Sequence, residues 1–281
     1  MNAPPVHDEP AARALVARLE QRVQIVDAHF DGARIRWRRI GDGPPLVLVH
    51  GGNGSWLHWV RNIDALSARH TLWLPDLPGC GDSDPLPPPP SLEHLVAALR
   101  DNIDTLIGAH AQIDLAAFSF GSVVSSNLAL ARGHVRRLAF LGATGHGFPR
   151  SPLALRNWRT LPAGHAQDEA HWHNLATLML HDRASIDALA LLVHRGASER
   201  TRLRSKQISH TDATRRALDR LAIPALLIWG EHDPTSGGAQ MVRALGEGRP
   251  DRQWLIVPGA GHWLQYERAD EINALLARWF D

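Results

Sequence analysis

The chain has 281 residues, a formal net charge of +1 and a single cysteine, Cys80. Its length fits one large domain or a domain with a sizeable insertion. The balanced charge argues against nucleic acid as the main partner. A lone cysteine excludes an intrachain disulfide and suits a reducing compartment.

The sequence contains no apolar run near the roughly 20 residues that span a bilayer, and its first residues lack the apolar core of a signal peptide. We therefore expect a cytoplasmic protein that acts on a small-molecule substrate, with neither nucleic acid nor a membrane as partner. A homodimer is compatible with these features.

Strands and helices alternate along the predicted secondary structure. A short amphipathic helix at 11–21 precedes a hairpin, because residues 23–30 and 33–40 alternate in polarity around Asp31-Gly32. Further strands are predicted at 45–50, 71–75, 113–117, 137–141, 224–229 and 253–257, and further helices at 56–66, 91–107 and 271–280. This alternation is typical of a parallel sheet with helices on both faces.

Residues 145–222 interrupt the alternation, since they have helical patterns and no convincing strand. We expect them to form a helical cap over the carboxyl edge of the sheet, where open α/β sheets bind ligands. Residues 1–144 and 223–281 would form the core. The cap segment contains eleven arginines and one lysine against seven acidic residues. This positive excess is either a solvated face or a field that attracts a carboxylate-bearing substrate.

A serine stands at a predicted sharp turn between a strand and a helix. Residues 117–121, AFSFG, place Ser119 directly after the strand at 113–117. Small residues stand two positions before and after it, as they must in a turn that lifts the serine hydroxyl above a sheet. Such a hydroxyl needs a neighbouring base, and the base needs an orienting acid.

Two later loops supply the base and the acid. Asp233 lies in the loop GEHDP after the strand at 224–229, and His262 lies in the loop GAGH after the strand at 253–257. The chain order Ser, Asp, His is found in one class of serine hydrolases. Glu231 is the alternative acid, but Asp233 fits the position better.

A glycine-rich loop follows the strand at 45–50 and reads His50-Gly51-Gly52-Asn53-Gly54. Glycines allow backbone N–H groups to face a reacting carbonyl. The N–H groups of Gly52 and Phe120 are therefore predicted to form an oxyanion hole.

From about residue 23 to residue 280 the chain resembles the α/β-hydrolase-fold serine hydrolases. The segments HGG, DLPGCGDSD, AFSFG, GEHDP and GAGH occur in this order, each at the end of a predicted strand. The resemblance implies a doubly wound, mostly parallel sheet, with a helical cap inserted before the penultimate strands.

Residues 261–270, GHWLQYERAD, also resemble the meta-cleavage-product C–C hydrolases. Those enzymes often have Asn before the nucleophile, where this chain has Phe118. They use a cap arginine to hold the substrate carboxylate, and the resemblance makes Arg195, Arg202 and Arg204 the candidates for that role.

We expect a serine hydrolase that cleaves a small carboxylic ester or similar acyl substrate without a cofactor or a metal. A C–C bond hydrolase is the main alternative. A cofactor-free peroxidase or lyase, or a ligand-binding receptor on the same fold, is a further one. The residues expected to contact the substrate are Asn53, Phe118, Trp263, Arg195, Arg202 and Arg204.

Overall fold

A computed structural model describes residues 8–236 and 239–281. It contains eight strands, β1 Gln24–Phe30, β2 Ala33–Ile40, β3 Pro45–Val49, β4 Thr71–Pro75, β5 Ile113–Phe118, β6 Val135–Leu141, β7 Ala225–Gly230 and β8 Arg252–Val257. They form one sheet in the order β1-β2-β4-β3-β5-β6-β7-β8. The pairs β1–β2 and β2–β4 are antiparallel and the others are parallel, so the predicted mostly parallel sheet is confirmed.

Helices cover both faces of this sheet. The helices of the described chain, including those of the segment between β6 and β7, are α1 Glu9–Arg22, α2 Ile63–Ser67, α3 Leu92–Ile103, α4 Phe120–Arg132, α5 His165–Asn174, α6 Ala188–Glu199, α7 Lys206–Ser209, α8 Ala213–Arg220, α9 Ala239–Gly246, α10 Leu264–Glu267 and α11 Ala269–Phe280. Every residue of β5 and β7 is buried. Strands covered on both faces require such apolar runs, because neither face meets water.

Two predicted helices differ in detail from the structure. The helix predicted at 56–66 is a 3₁₀ turn, Trp56–Trp59, followed after a break by the short helix α2. The break lies at Asn62, whose side-chain amide donates to the Gln265 carbonyl and to Asn273 Oδ1. The helix predicted at 91–107 is α3 continued by a π turn, with Ser91 as its N-cap.

The chain between β6 and β7 contains α5 to α8, and we call its residues 145–222 the helical insertion. A buried ion pair fastens the insertion to the rest of the molecule. Asp187 lies at the N-cap of α6, and its carboxylate is 2.7 Å from Arg61 Nη2 and accepts from the Tyr266 hydroxyl at 2.5 Å. The Arg61 guanidinium also lies 4.0 Å from the Tyr266 ring centroid.

We predict that Asp187→Ala destabilises the protein by about 3–5 kcal/mol, because it leaves the Arg61 charge buried without its carboxylate. The free energy of unfolding in urea measures the loss. The control is Glu9→Ala, which removes an exposed partner of Arg13 and should cost far less. Equal losses in the two variants would contradict a fastening role for Asp187.

Candidate active site

Ser119 lies between β5 and α4 in a strained turn. Its φ of +51° and ψ of −119° are rare for a residue with a side chain. Two residues later the backbone passes very close to β3. A Cβ on Gly121 would lie 2.6 Å from the His50 carbonyl oxygen and 2.7 Å from that of Val49. Only glycine fits there, and Ser119 remains partly exposed.

The structure brings the three residues of the predicted triad together. Ser119 Oγ lies 2.9 Å from His262 Nε2, and His262 Nδ1 lies 2.8 Å from Asp233 Oδ2. Asp233 follows β7 and His262 follows β8, so parallel strands deliver both to the edge where Ser119 stands. Glu231 accepts from the Gly259 N–H instead and is exposed.

Thr235 holds the carboxylate of Asp233 and escaped the sequence-based prediction. Its backbone N–H and its hydroxyl each donate to Asp233 Oδ1 at 2.8 Å. Burial raises the pKa of Asp233, but the charge and hydrogen bond of His262 and the two bonds from Thr235 outweigh burial and leave the pKa lowered. Asp233 is therefore an ionised acceptor for the His262 Nδ1–H.

A second unpredicted residue, Gly142, leaves room for the triad. It follows β6 with a φ of +55°, and a Cβ there would lie 2.9 Å from His262 Nδ1 and 3.1 Å from Asp233 Oδ2. A glycine directly after a central strand is the only sequence signal that could have marked it.

Two buried histidines hold the glycine-rich loop. His50 Nδ1 donates to the Gly51 carbonyl at 2.7 Å, and its Nε2 accepts from the Leu77 N–H at 2.8 Å. The Gly51 N–H donates to His58 Nδ1 at 3.2 Å. Burial lowers the pKa of both histidines, which keeps the accepting nitrogens unprotonated. The Gly51 N–H is thus occupied, and Gly52 carries the next one along the loop.

Gly52 and Phe120, the two predicted oxyanion-hole donors, lie side by side. A Cβ on Gly52 would be 3.7 Å from Phe120 Cβ and 2.7 Å from Ser205 Oγ of the insertion. Phe120 opens α4, where a backbone N–H has no intrahelical acceptor. Asn53, a predicted substrate contact, is exposed at the tip of the loop with a φ of +51°.

Phe118 and Trp263, both predicted to contact the substrate, are buried. Phe118 is 1% exposed and packs between the rings of His58 and His262. Trp263 has no exposed surface, because it stacks on Tyr266 and donates from Nε1 to the His58 carbonyl. Both aromatics support the loops that carry the site.

The three predicted arginines have different surroundings. Arg195 is paired with Asp168 at 2.8 Å and with Glu199 at 3.0 Å. Arg202 ties the insertion to the loop after β4, since its guanidinium donates to the Ser83 carbonyl. Arg204 is exposed and has no hydrogen-bond or ion-pair partner within residues 8–236 and 239–281.

Arg150 is a cation near the triad that the sequence did not single out. It is only partly exposed, and burial lowers its pKa while the charge of Asp233 opposes this. Its guanidinium donates to the Ser209 carbonyl at 2.9 Å. No carboxylate of the described chain forms an ion pair with it. Nearby His146, which contacts the Thr235 carbonyl, has a pKa lowered to about 4 by burial and by Arg150.

The described residues lack two kinds of feature. They contain no cluster of three or more His, Cys, Asp or Glu side chains arranged to hold a metal ion. No helix among them is both long enough and apolar enough to cross a membrane.

Residues 46–275 match the model of the Alpha/beta hydrolase family, and the chain belongs to this family. It is 30% identical over 252 residues to a pimeloyl-[acyl-carrier protein] methyl ester esterase of Xanthomonas campestris pv. campestris, covering 85% of this chain and 96% of the relative. It is 26% identical to a 2-hydroxy-6-oxononadienedioate/2-hydroxy-6-oxononatrienedioate hydrolase of Paraburkholderia phymatum, over 96% of each chain.

A third relative is longer than this chain. The dihydrolipoyllysine-residue acetyltransferase component of the acetoin cleaving system of Pseudomonas putida is 30% identical over 262 residues, which are 88% of this chain but 66% of the relative.

Solved structures confirm the predicted fold. The meta-cleavage product hydrolase CumD of Pseudomonas fluorescens IP01 has a TM-score of 0.75 at 24% identity, covering 92% of this chain and 98% of its own. The esterase RhEst1 of Rhodococcus sp. ECU1013 has a TM-score of 0.74 at 20% identity, with the same coverage. The family match and the relatives identify the protein as a hydrolase of the α/β fold.

We predict that a fluorophosphonate labels Ser119 and that Thr235→Val slows the labelling about tenfold or more. A hydrogen bond to a charged group contributes about 1.5–3 kcal/mol, and about 1.4 kcal/mol is a factor of ten in rate. Mass spectrometry identifies the labelled serine and its rate. Thr235→Ser keeps the hydroxyl and is the matched control.

The same variant should change the pH profile. The Thr235 hydroxyl lowers the pKa of Asp233, so its removal raises that pKa, and Asp233 becomes protonated at higher pH than in the wild type. The stability that ionised Asp233 contributes should then be lost at a higher pH as the pH falls, which Tm measured against pH detects. The same pH dependence of Tm in Thr235→Val and Thr235→Ser would contradict the role given to Thr235.

Proposed function

We propose that the protein is a serine hydrolase that cleaves small carboxylic esters, with Ser119 as nucleophile, His262 as general base and Asp233 as the orienting acid. The observation that carries this proposal is the continuous line of contacts from Asp233 Oδ2 through His262 to Ser119 Oγ. A relative 30% identical is named as a methyl ester esterase, which supports the same reaction class.

In this mechanism Ser119 Oγ attacks the ester carbonyl carbon while its proton moves to His262 Nε2. The imidazolium keeps its Nδ1–H on Asp233, whose negative charge stabilises it. The alcohol leaves with the proton from Nε2, and an acyl-enzyme forms on Ser119. A water molecule then attacks the acyl carbon with His262 as base, which releases the carboxylic acid and the free serine.

The oxyanion that forms in both steps would be held by the N–H groups of Gly52 and Phe120. Each such donor typically contributes about 3 kcal/mol of transition-state stabilisation. The N-terminus of α4, which begins at Phe120, adds its positive dipole end at the same place. His50 and His58 support this role, because they fix the neighbouring Gly51 through both of its backbone polar groups.

The helical insertion, residues 145–222, would act as a cap domain on a core of residues 1–144 and 223–281. Three contacts support this. Ser205 lies against Gly52, and the N–H groups of Arg202 and Leu203 donate to the Gly79 carbonyl. Because these contacts lie at the carboxyl edge of the sheet, the insertion would bound the substrate space and select the substrate.

The substrate would carry an acidic group. This follows the second interpretation of the positive net charge of the insertion, that it attracts a carboxylate. Arg150 is the best placed cation, since it is partly buried near Asp233 and uses one bond to Ser209 while other guanidinium donors stay available. An arginine can hold a carboxylate through two parallel hydrogen bonds. Arg204, exposed next to Ser205, is the second candidate.

We predict that Ser119→Ala abolishes turnover of a panel of esters, lactones and ring-fission products, with an unchanged far-UV circular dichroism spectrum. Asp233→Asn should lower kcat by about 10⁴-fold, if it resembles the comparable change in other triads. Glu231→Gln is the control and should change kcat little. Near-wild-type hydrolysis by Ser119→Ala would exclude Ser119 as the nucleophile.

The same panel separates the alternatives. Turnover of ring-fission products without esters would favour the C–C hydrolase, the activity in the name of the relative from Paraburkholderia phymatum. Saturable binding of a ligand without any turnover would favour a receptor.

We predict that half-esters with a free carboxylate have a lower KM than their methyl diesters. Arg150→Gln should remove this difference, because it removes the charge but leaves a hydrogen-bonding side chain. Arg195→Gln is the matched control, since Arg195 is already paired with two carboxylates. Equal KM values for half-ester and diester in the wild type would contradict a role for the insertion's positive charge in substrate binding. That charge would then only face solvent.

A further inference from the structure

Glu267 is a buried acidic residue that takes no part in the mechanism described above. It is the last residue of α10, it is 1% exposed, and no Lys, Arg or His of the described chain forms an ion pair with it. Its two carboxylate oxygens have different partners. Oε2 accepts from the Gly261 N–H at 2.6 Å, and Oε1 accepts from the Asp182 N–H at 2.6 Å.

The two partners belong to different parts of the molecule. Gly261 is the residue before His262, and Asp182 belongs to the helical insertion. A buried carboxylate without a cation is costly unless hydrogen bonds compensate it. Two short charge-assisted bonds do so here, and both come from backbone groups. The side chain thus joins the main chain of the insertion to the main chain beside His262.

Direct contacts reinforce this connection. The Trp263 N–H, on the other side of His262, donates to the Met179 carbonyl at 2.7 Å. A Cβ on Gly261 would lie 2.7 Å from the backbone nitrogen of His181, so the two backbones are in close contact. The His181 ring also stacks on His232 at 3.5 Å between centroids, beside the loop that carries Asp233. Residues 179–182 therefore support both sides of His262.

We propose that Glu267 is a positioning residue that makes the placement of His262 depend on the docking of residues 179–182. This coupling rests on the proposed function, in which His262 is the base. If residues 179–182 move away, the N–H groups of Asp182 and Trp263 lose their acceptors. The 2.9 Å hydrogen bond between His262 Nε2 and Ser119 Oγ is then lost. The enzyme turns over only while the insertion is docked.

The first test removes the Asp182 N–H that donates to Glu267. Asp182 has a φ of −79°, which proline adopts without strain. Asp182→Pro deletes the N–H that Glu267 accepts, and it also deletes the side-chain bond to the Ala184 N–H. Asp182→Ala deletes only the side-chain bond and is the matched control. The difference between the two variants reports the lost N–H together with the restriction that proline places on His181, and the second test is free of that restriction.

We expect Asp182→Pro to have a kcat about tenfold or more below that of Asp182→Ala, with KM within about twofold, because small misplacements of a catalytic group cost large rate factors. Active sites are counted by fluorophosphonate titration, so that kcat refers to competent molecules. Circular dichroism shows whether each variant is folded.

The second test changes the carboxylate. Glu267→Gln keeps one acceptor oxygen but turns an NH₂ group toward a backbone N–H. Its control is Glu231→Gln, the same change on an exposed side chain that accepts from Gly259 in the same loop. We expect a loss of kcat of about tenfold or more in Glu267→Gln and little change in Glu231→Gln. This pair decides the matter if Asp182→Pro does not fold.

The coupling is overturned if both test variants have a lower Tm but keep the kcat of their controls per titrated site. Glu267 would then be only a structural link. If the wild type neither hydrolyses an ester nor reacts at Ser119, the proposed function fails instead, and the coupling fails with it.

Discussion

The structure depends on the close approach of α4 to β3 at Gly121. The missing Cβ lets the helix start against the carbonyl groups of Val49 and His50, and this forces Ser119 into a strained conformation. One contact therefore sets three things: the exposure of the Ser119 hydroxyl, the direction of the α4 N-terminus, and the distance between Phe120 and the loop at Gly52. Parallel β7 and β8 then bring Asp233 and His262 to the same edge of the sheet.

Much of the site is kept in place by groups that their surroundings hold in one protonation state. His50 and His58 accept hydrogen bonds only when neutral, and burial lowers the pKa of both. Both carboxylate oxygens of Asp233 accept without donating only when the group is ionised, and its partners lower its pKa against the effect of burial. Burial thus keeps the histidines of one loop neutral, whereas hydrogen-bond and charge partners keep Asp233 ionised in spite of burial.

The sequence was sufficient for the sheet and for the neighbourhood of Ser119, Asp233 and His262, because turn residues at strand ends have strong local signatures. It did not reveal Thr235, Gly142 or Glu267, whose contacts exist only after distant segments meet. Composition also did not predict which side chains are already in contact with other residues. A count of arginines in the insertion could not show that Arg195 is already paired, and a tryptophan beside His262 suggested a pocket wall where the structure has a buried support. Helix α9 escaped prediction because its stability comes from burying Met241, Val242 and Leu245 against the core.

Several hydrogen bonds between the insertion and the core use main-chain groups, in addition to the Asp187–Arg61 ion pair and to apolar packing. The carbonyls of Gly79, Ser83 and Met179 and the N–H groups of Asp182, Arg202 and Leu203 make the contacts described above. Main-chain groups are the same whatever residue stands at the position, so most substitutions at these positions keep the main-chain group that makes the bond. Under the proposed function, changes at other positions of the insertion would alter the substrate during evolution while Ser119, Asp233 and His262 stay the same.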